Sequence, residues 1–464
     1  MAMEKTMLTE SVLPVEVIKK YGERSFMYTE YPNMRFWSKS IGNEEFRRIC
    51  IERFQGRNKI PSMLYIHIPH CHTQCLFCTC HVVITRNYQH VKQYLTHLYK
   101  EIKAFADFFR KHGLKPIFTD VHFGGGSPTF LKELEWEELM THLRTIVHFD
   151  DVVECSIEID PRRVQPERMY HYAKMGINRV SFGVQDFDRE VQKAINRVQP
   201  ASLVERFLTP DIRALFTHGI NFDIICGLPR QTEATMKDTM ELVAKMAPDR
   251  ICLNYLHYIP EFFPHQEMMP PCPNNQQRKA LFLTALNVLS NNGYVRTGYD
   301  HFAKSTDEVV RAMTKKQMRW NRLGVAVDRY EDTIGIGVHG VSKISNWYFQ
   351  NVYYGQDAGL GPYVSALEQG EFPIYRGHQL TGDDMIRRDV IHELRNYFSL
   401  LFADVEKKHP IEFEKYFQDE MLALQEYERD GIVLLSPAGI HITDLGCEFV
   451  DSVCSVFDLY VHRV

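Results

Sequence analysis

The amino-acid sequence predicts an α/β fold built on a parallel sheet, and three observations predict it. Seven apolar, β-branched segments recur between residues 63 and 303. Stretches with helical i, i+3, i+4 apolar spacing separate most of them, the alternation that builds parallel sheets, open or closed into a barrel. The segments end in runs rich in Gly, Pro, Cys and polar residues, where α/β proteins gather their ligand-binding groups.

In chain order the segments are "MLYIHIP" (Met63–Pro69), "IFTDVHFGGG" (Ile117–Gly126), "ECSIEID" (Glu154–Asp160), "RVSFGVQD" (Arg179–Asp186), "NFDIICGLP" (Asn221–Pro229), "RICLNYLHYI" (Arg250–Ile259) and "YVRTGYDHFA" (Tyr294–Ala303). The clearest helix is "VKQYLTHLYKEIKAFADFF", which sets Tyr94, Leu95, Leu98, Ile102, Phe105 and Phe109 along one stripe. Residues 1–60 read as a helical arm with aromatic clusters such as "YTEYP", expected to cover the site. Residues 61–365 carry the strand–helix alternation, and residues 366–464 turn to charged helices around a short β-like piece, "IVLLSPAGIHIT". The last part predicts a small, mostly helical, winged-helix-like domain, a likeness that does not by itself imply DNA binding.

At 464 residues, 44% apolar and 24% charged, the chain has the composition of a soluble globular protein of two or three domains. Its net charge of −5 weighs against a nucleic-acid partner. The first residues lack the basic-then-apolar pattern of a signal peptide, and no apolar run is long enough to span a membrane. A cytoplasmic location is expected, in which the eleven cysteines are thiols.

Four of those cysteines fall in "CHTQCLFCTC" (Cys71–Cys80), with the spacing C-x3-C-x2-C-x-C. They could be buried small hydrophobes. They could form a zinc loop, although no second C-x2-C or H-x3-H pair stands out. Cys71, Cys75 and Cys78 could instead hold three irons of a [4Fe–4S] cluster, leaving the fourth iron open, because soft thiolates suit that chemistry.

The wider context is more specific. "YIHIPHCHTQCLFCTC", "FGGGSPT", "IEIDPR", "FGVQDFDREVQKAINRVQ", "FDIICGLPRQT", "DHFAK" and the tail "RGHQLTGDDMIRRDVI" together resemble the oxygen-independent coproporphyrinogen III oxidase family of the radical S-adenosylmethionine (SAM) superfamily, over nearly the whole chain. The resemblance implies a partial (β/α)6 barrel and one [4Fe–4S] cluster on Cys71, Cys75 and Cys78, with SAM on the open iron. It implies cleavage of SAM to a 5′-deoxyadenosyl radical, an external one-electron donor such as flavodoxin or ferredoxin, and a monomer. Two propionates of coproporphyrinogen III would become vinyl groups, giving protoporphyrinogen IX in haem biosynthesis.

By the same resemblance, Tyr65, Gly125, Glu158 and Val341 would bind the first SAM. Phe77, Gly126, Ser127, Gln185, Arg197, Asp223 and Leu256 would bind a second. Cys80, similar to a cysteine of the true oxidases, would lie near the reacting groups with Tyr65 and Glu158. The residues also have their own physical reading. Glycines at 124–126 let backbone approach closely, Glu158 ends an apolar strand where a carboxylate needs a partner, and Arg197 could pair with a carboxylate bidentately. Cys155, Cys226 and Cys252 read as packing residues.

Departures from the family pattern fall on the substrate side. Met27 and Glu30 lie in "SFMYTEYP", where an Arg usually precedes the first Tyr; Arg322 and Val325 in "NRLGVA" replace aromatics; His339 and Gly340 stand where small residues are usual. Two further functions therefore stay open beside the oxidase: a related radical methyltransferase or cyclopropanase acting on an aromatic small molecule, and a haem-binding chaperone.

Overall fold

A computed structural model describes residues 13–22, 28–56, 59–352 and 360–461. Its centre is a run of six parallel strands, β1 (Pro61–Ile68), β2 (Ile117–Gly125), β3 (Glu154–Ile159), β4 (Arg179–Gln185), β5 (Ile220–Cys226) and β6 (Arg250–Tyr255). They neighbour one another in sequence order, as right-handed strand–helix–strand units do. The predicted α/β class and its first six strands are observed.

The seventh segment is a hairpin, β7 (Tyr294–Arg296) and β8 (His301–Lys304), and not one strand. Gly298, at φ +75°, sits in its turn, a conformation glycine adopts without steric cost. On the other side, β9 (Asp332–Ile336) pairs parallel with β1, and β10 (Val341–Ile344), β11 (Trp347–Asn351) and β12 (Ile374–Gln379) continue antiparallel. The twelve strands run in the order β12-β11-β10-β9-β1-β2-β3-β4-β5-β6-β8-β7.

Each face of the central strands has its own chemistry because side chains alternate. Val121, Phe123, Ile157, Val180, Phe182, Phe222, Ile224, Ile251 and Leu253 turn to the helices and are at most 1% exposed. The opposite face carries His122, Glu158, Ser181, Asp223, Cys252 and Asn254 around a central cavity. Helix α1 (Tyr88–His112) covers β1, with the expected stripe from Tyr94 to Phe109 buried. The Asn87 side chain caps its first turn, Gly113 at φ +65° ends it, and Arg110, Lys111 and His112 face its negative end.

A second apolar core joins the N-terminal arm to the C-terminal helices. Leu13, Ile18, Tyr21, Tyr28 and Tyr31 pack there with Ile391, Leu394, Phe413, Phe417 and Phe449. The tail contains a three-stranded antiparallel sheet, Ser399–Leu401, Gly439–Ile442 and Val433–Ser436, among its helices. Strand β12 belongs to the large sheet, so the tail's own elements begin after residue 380. Among the described residues no helix is long and apolar enough to cross a membrane.

Candidate active site

The cysteine loop leaves the C-terminal end of β1 and is held by the elements around it. His70–Cys71 forms a short parallel pair with Val83–Ile84. Leu76 N donates to Ile195 O at 3.0 Å, and Asn196 Nδ2 to Gln74 O at 2.8 Å. From the far side, Gln266 Nε2 donates to Phe77 O at 3.1 Å. Leu76 and Phe77 pack against Val191, Ile195, Ile225, Leu228, Leu256 and Met269. The loop shape is therefore built by the protein itself.

The donor set fits an iron–sulfur cluster. Cys71, Cys75 and Cys78 bring three soft thiolates together on one loop, the donor type that such a cluster takes. Arg162 Nη2 and Arg197 Nη1 each donate to Cys75 Sγ at 3.5 Å. Burial and the neighbouring thiols Cys78 and Cys75 push Cys71 well above the usual thiol range. Bound iron would supply the positive charge these sulfurs need to ionise together.

Cys80 sits beside this set. Its backbone N–H donates to Cys78 Sγ at 3.4 Å. A side-chain hydrogen bond between the two lowers the pKa of Cys78 and raises that of Cys80. Cys80 also lines the cavity above the loop.

A cavity of about 500 Å³ opens over the loop, walled by the ends of the parallel strands. Cys71, Cys75, Cys78 and Cys80 line it, together with Gly125 and Glu158 of the first expected SAM set. So do Phe77, Gly126, Ser127, Gln185, Arg197, Asp223 and Leu256, the whole of the second. Tyr65 and Val341 instead line an adjoining cavity of about 280 Å³. Thr29, Trp320, Asn321, Arg322 and Leu323 border both cavities, so the first set straddles the boundary between them.

Several of these residues are held tightly. Glu158 Oε2 accepts from Gly125 N at 3.2 Å, and its Oε1 meets His122 Nε2 at 3.2 Å. A Cβ at Gly125, where φ is +111°, would come within 2.6 Å of the His67 ring. One at Gly126 would lie 2.7 Å from the Pro69 backbone. The glycines thus let β1 and β2 close against each other. Tyr65 Oη meets His67 Nδ1 at 3.0 Å, and burial pushes His67 down to about 4, leaving it neutral near pH 7. Gln185 ends β4 in the left-handed region at φ +70°, an uncommon conformation for a side-chain-bearing residue.

Two expectations change in detail. Arg197 spends its donors on Gly183 O at 2.6 Å, Cys75 Sγ and Asp160, and so is engaged by the protein before any ligand carboxylate. Asp223 lies within β5 and accepts from Ser181 Oγ and Asn221 Nδ2. Cys155 and Cys226 are core residues as expected, but Cys252 lines the cavity. The sequence reading passed over His122, Ser181, Asn221 and Asn254, although they lie in the alternate polar positions of strands it had identified. It also passed over Asp160, whose ionisation burial opposes; Arg197 and Arg162 outweigh that and hold it at about 2.

A model of the radical SAM superfamily matches residues 65–243. Oxygen-independent coproporphyrinogen III oxidases of Pseudomonas aeruginosa and Escherichia coli K12 are each 34% identical over 450 residues, spanning 96% of this chain and 95% of theirs. The solved E. coli coproporphyrinogen III oxidase, described as a radical SAM enzyme, superposes with a TM-score of 0.87 at 32% identity, over 97% of this chain and all of that one. The chain belongs to the oxygen-independent coproporphyrinogen III oxidase family. Radical SAM membership makes a [4Fe–4S] cluster and SAM its cofactors.

Within this family, two of the departures noted in the sequence, Glu30 and Arg322, meet in space. Arg322 Nε donates to Glu30 Oε1 at 2.6 Å and Nη2 to Oε2 at 2.9 Å. Burial works against the charge on Arg322, but Glu30, then Tyr65 and Cys80, outweigh it and raise its pKa. Val325 is buried in the hairpin formed by Met318–Asn321 and Gly324–Val327. The His339 ring lies against that of His81, with centroids 3.7 Å apart and planes inclined by 49°, and meets Gln350 Nε2 at 3.0 Å. Met27 lies outside the described residues.

Proposed function

We propose that this chain is an oxygen-independent coproporphyrinogen III oxidase, converting two propionates to vinyl groups. The observation that carries the reading is the placing of the three cluster thiols at the floor of the large cavity, in a chain alike to such oxidases from end to end. The net change at each propionate is loss of CO2, one hydrogen atom and one electron. When bound, SAM on the reduced cluster supplies a strong hydrogen-atom acceptor.

The protein's own residues do the rest. Cys71, Cys75 and Cys78 hold the cluster, and Arg162 and Arg197 turn N–H groups toward Cys75. Glu158, oriented by Gly125 N and His122, offers its carboxylate to a SAM ammonium or hydroxyl. The set from Phe77 to Leu256 forms a contiguous wall that supports a second SAM site. Cys80 and Tyr65 flank the reacting region, and Cys80 offers a thiol hydrogen there. An external one-electron donor reduces the cluster, and the protein acts as a monomer in the cytoplasm.

The test is anaerobic turnover of the reconstituted protein with reductant, SAM and coproporphyrinogen III, followed by mass spectrometry. Two successive losses of CO2 are expected. The altered wall at Arg322 and Val325 favours one competing reading, a related methyl transfer to another aromatic substrate. S-adenosylhomocysteine formation without decarboxylation would establish that instead.

A further inference from the structure

Arg322 stands at the tip of a two-residue hairpin turn, since Asn321 pairs with Gly324. Gly324, at φ +99°, closes that turn, and a Cβ on it would meet His301 Nε2 at 2.6 Å. The tip is therefore fixed against the strand-end wall. Arg322 borders both cavities, and so does Thr29, whose Oγ1 donates to Glu30 Oε2 at 2.7 Å.

The guanidinium is only half used. Its Nε–Nη2 edge is filled by Glu30, and Nη2 also contacts Met34 Sδ at 3.1 Å. Among the described residues Nη1 has no partner. The Glu30 side chain is 7% exposed, while that of Arg322 is 32% exposed, and the exposed part faces the cavities. A buried ion pair gains little stability over apolar residues of similar size. A guanidinium held rigidly along one edge, with its remaining donors turned into a cavity, is suited to take a second carboxylate. Three other cavity arginines are already ion-paired, Arg162 to Asp160, Arg250 to Asp307 and Glu308, and Arg395 to Asp451, while Arg163 bonds Thr73 Oγ1 and Arg278 the Leu256 carbonyl.

We propose that Arg322 binds a carboxylate arm of the substrate through Nη1, with Glu30 as the buried carboxylate that orients it, at the passage between the two cavities. This rests on the reading of the substrate as a porphyrinogen bearing several propionates. Arg322 is then a specificity residue peculiar to this wall, and Glu30 its positioning residue.

The test uses two air-stable probes, coproporphyrin III and its tetramethyl ester, titrated into the full chain and followed by porphyrin fluorescence. Wild type is expected to prefer the free acid. Arg322→Gln should weaken binding of the acid about tenfold, the value of a charge-assisted hydrogen bond, and leave ester binding unchanged. Because that variant strands a buried carboxylate, the pair Glu30→Gln with Arg322→Gln provides a neutral control for folding and should lose the same preference. Undiminished preference for the acid in both variants overturns the assignment of Arg322 while leaving the porphyrinogen reading intact. Wild-type protein that binds neither probe overturns both.

Discussion

The two walls of the main cavity are assembled in different ways. The strand-end wall is local in sequence: Cys71, Cys75 and Cys78 share one loop, Gly124–Ser127 one turn, and Asp160 and Arg162 one strand exit. The facing wall is assembled across the chain: Arg322, which borders both cavities, is held by Glu30, 292 residues away and lining the adjoining cavity. Groups that handle a cofactor can be written as short motifs because a cofactor does not change. A wall that chooses the substrate is free to be rebuilt from distant pairs, each change compensated by its partner.

The sharpest way to break this comparison is at the cluster. Cys71→Ala should lose iron and visible absorbance on reconstitution, and both SAM cleavage and decarboxylation should fall to background. A variant that kept turnover would remove the thiol loop from its central place. Arg197→Met comes next. Taking the guanidinium from Cys75, Asp160 and Gly183 O should cost about 10- to 100-fold in cluster retention or turnover, the usual effect of groups that orient ligands. It should leave the porphyrin-acid preference of the facing wall untouched.

Gly125→Ala tests the close approach of β1 and β2. Its positive φ and the 2.6 Å approach to His67 should make the variant less stable by about 2 kcal/mol or more, read as a lower Tm. The smallest effect is away from both walls. Glu101, buried beneath the sheet, accepts from Tyr363 Oη at 2.5 Å, Gly337 N at 2.8 Å and Asn351 Nδ2 at 3.1 Å. Burial, only partly offset by these bonds, raises its pKa from 4.5 to about 7. Because the folded state holds that proton more tightly, its contribution to stability is complete below pH 4.5 and is lost as pH rises through 7. Glu101→Gln should flatten the dependence of Tm on pH across that interval, while activity at either wall is unchanged.

How much could be read from sequence follows the same division. The six central strands, the stripe of α1 and the cysteine loop were legible because each is a local pattern with its own period or spacing. The segment Tyr294–Ala303 read as one strand because its apolar ends mask the turn at Gly298. Strands β9 to β12 were missed: β9 is interrupted by Gly335, and β9 and β10 each run through a short turn into the next strand with no amphipathic helix between. The cavity residues His122, Ser181, Asn221 and Asn254 were recoverable from strand alternation alone. The Glu30–Arg322 pair was not, because each residue looked like an isolated departure until the fold set them 2.6 Å apart.

The most direct measurement counts two products in one anaerobic reaction: 5′-deoxyadenosine and CO2, with coproporphyrinogen III present and then absent. The account predicts that both rise together when the porphyrinogen is added, and that the substrate ends two CO2 lighter. Deoxyadenosine released at the same rate with and without porphyrinogen, and no CO2, would contradict it.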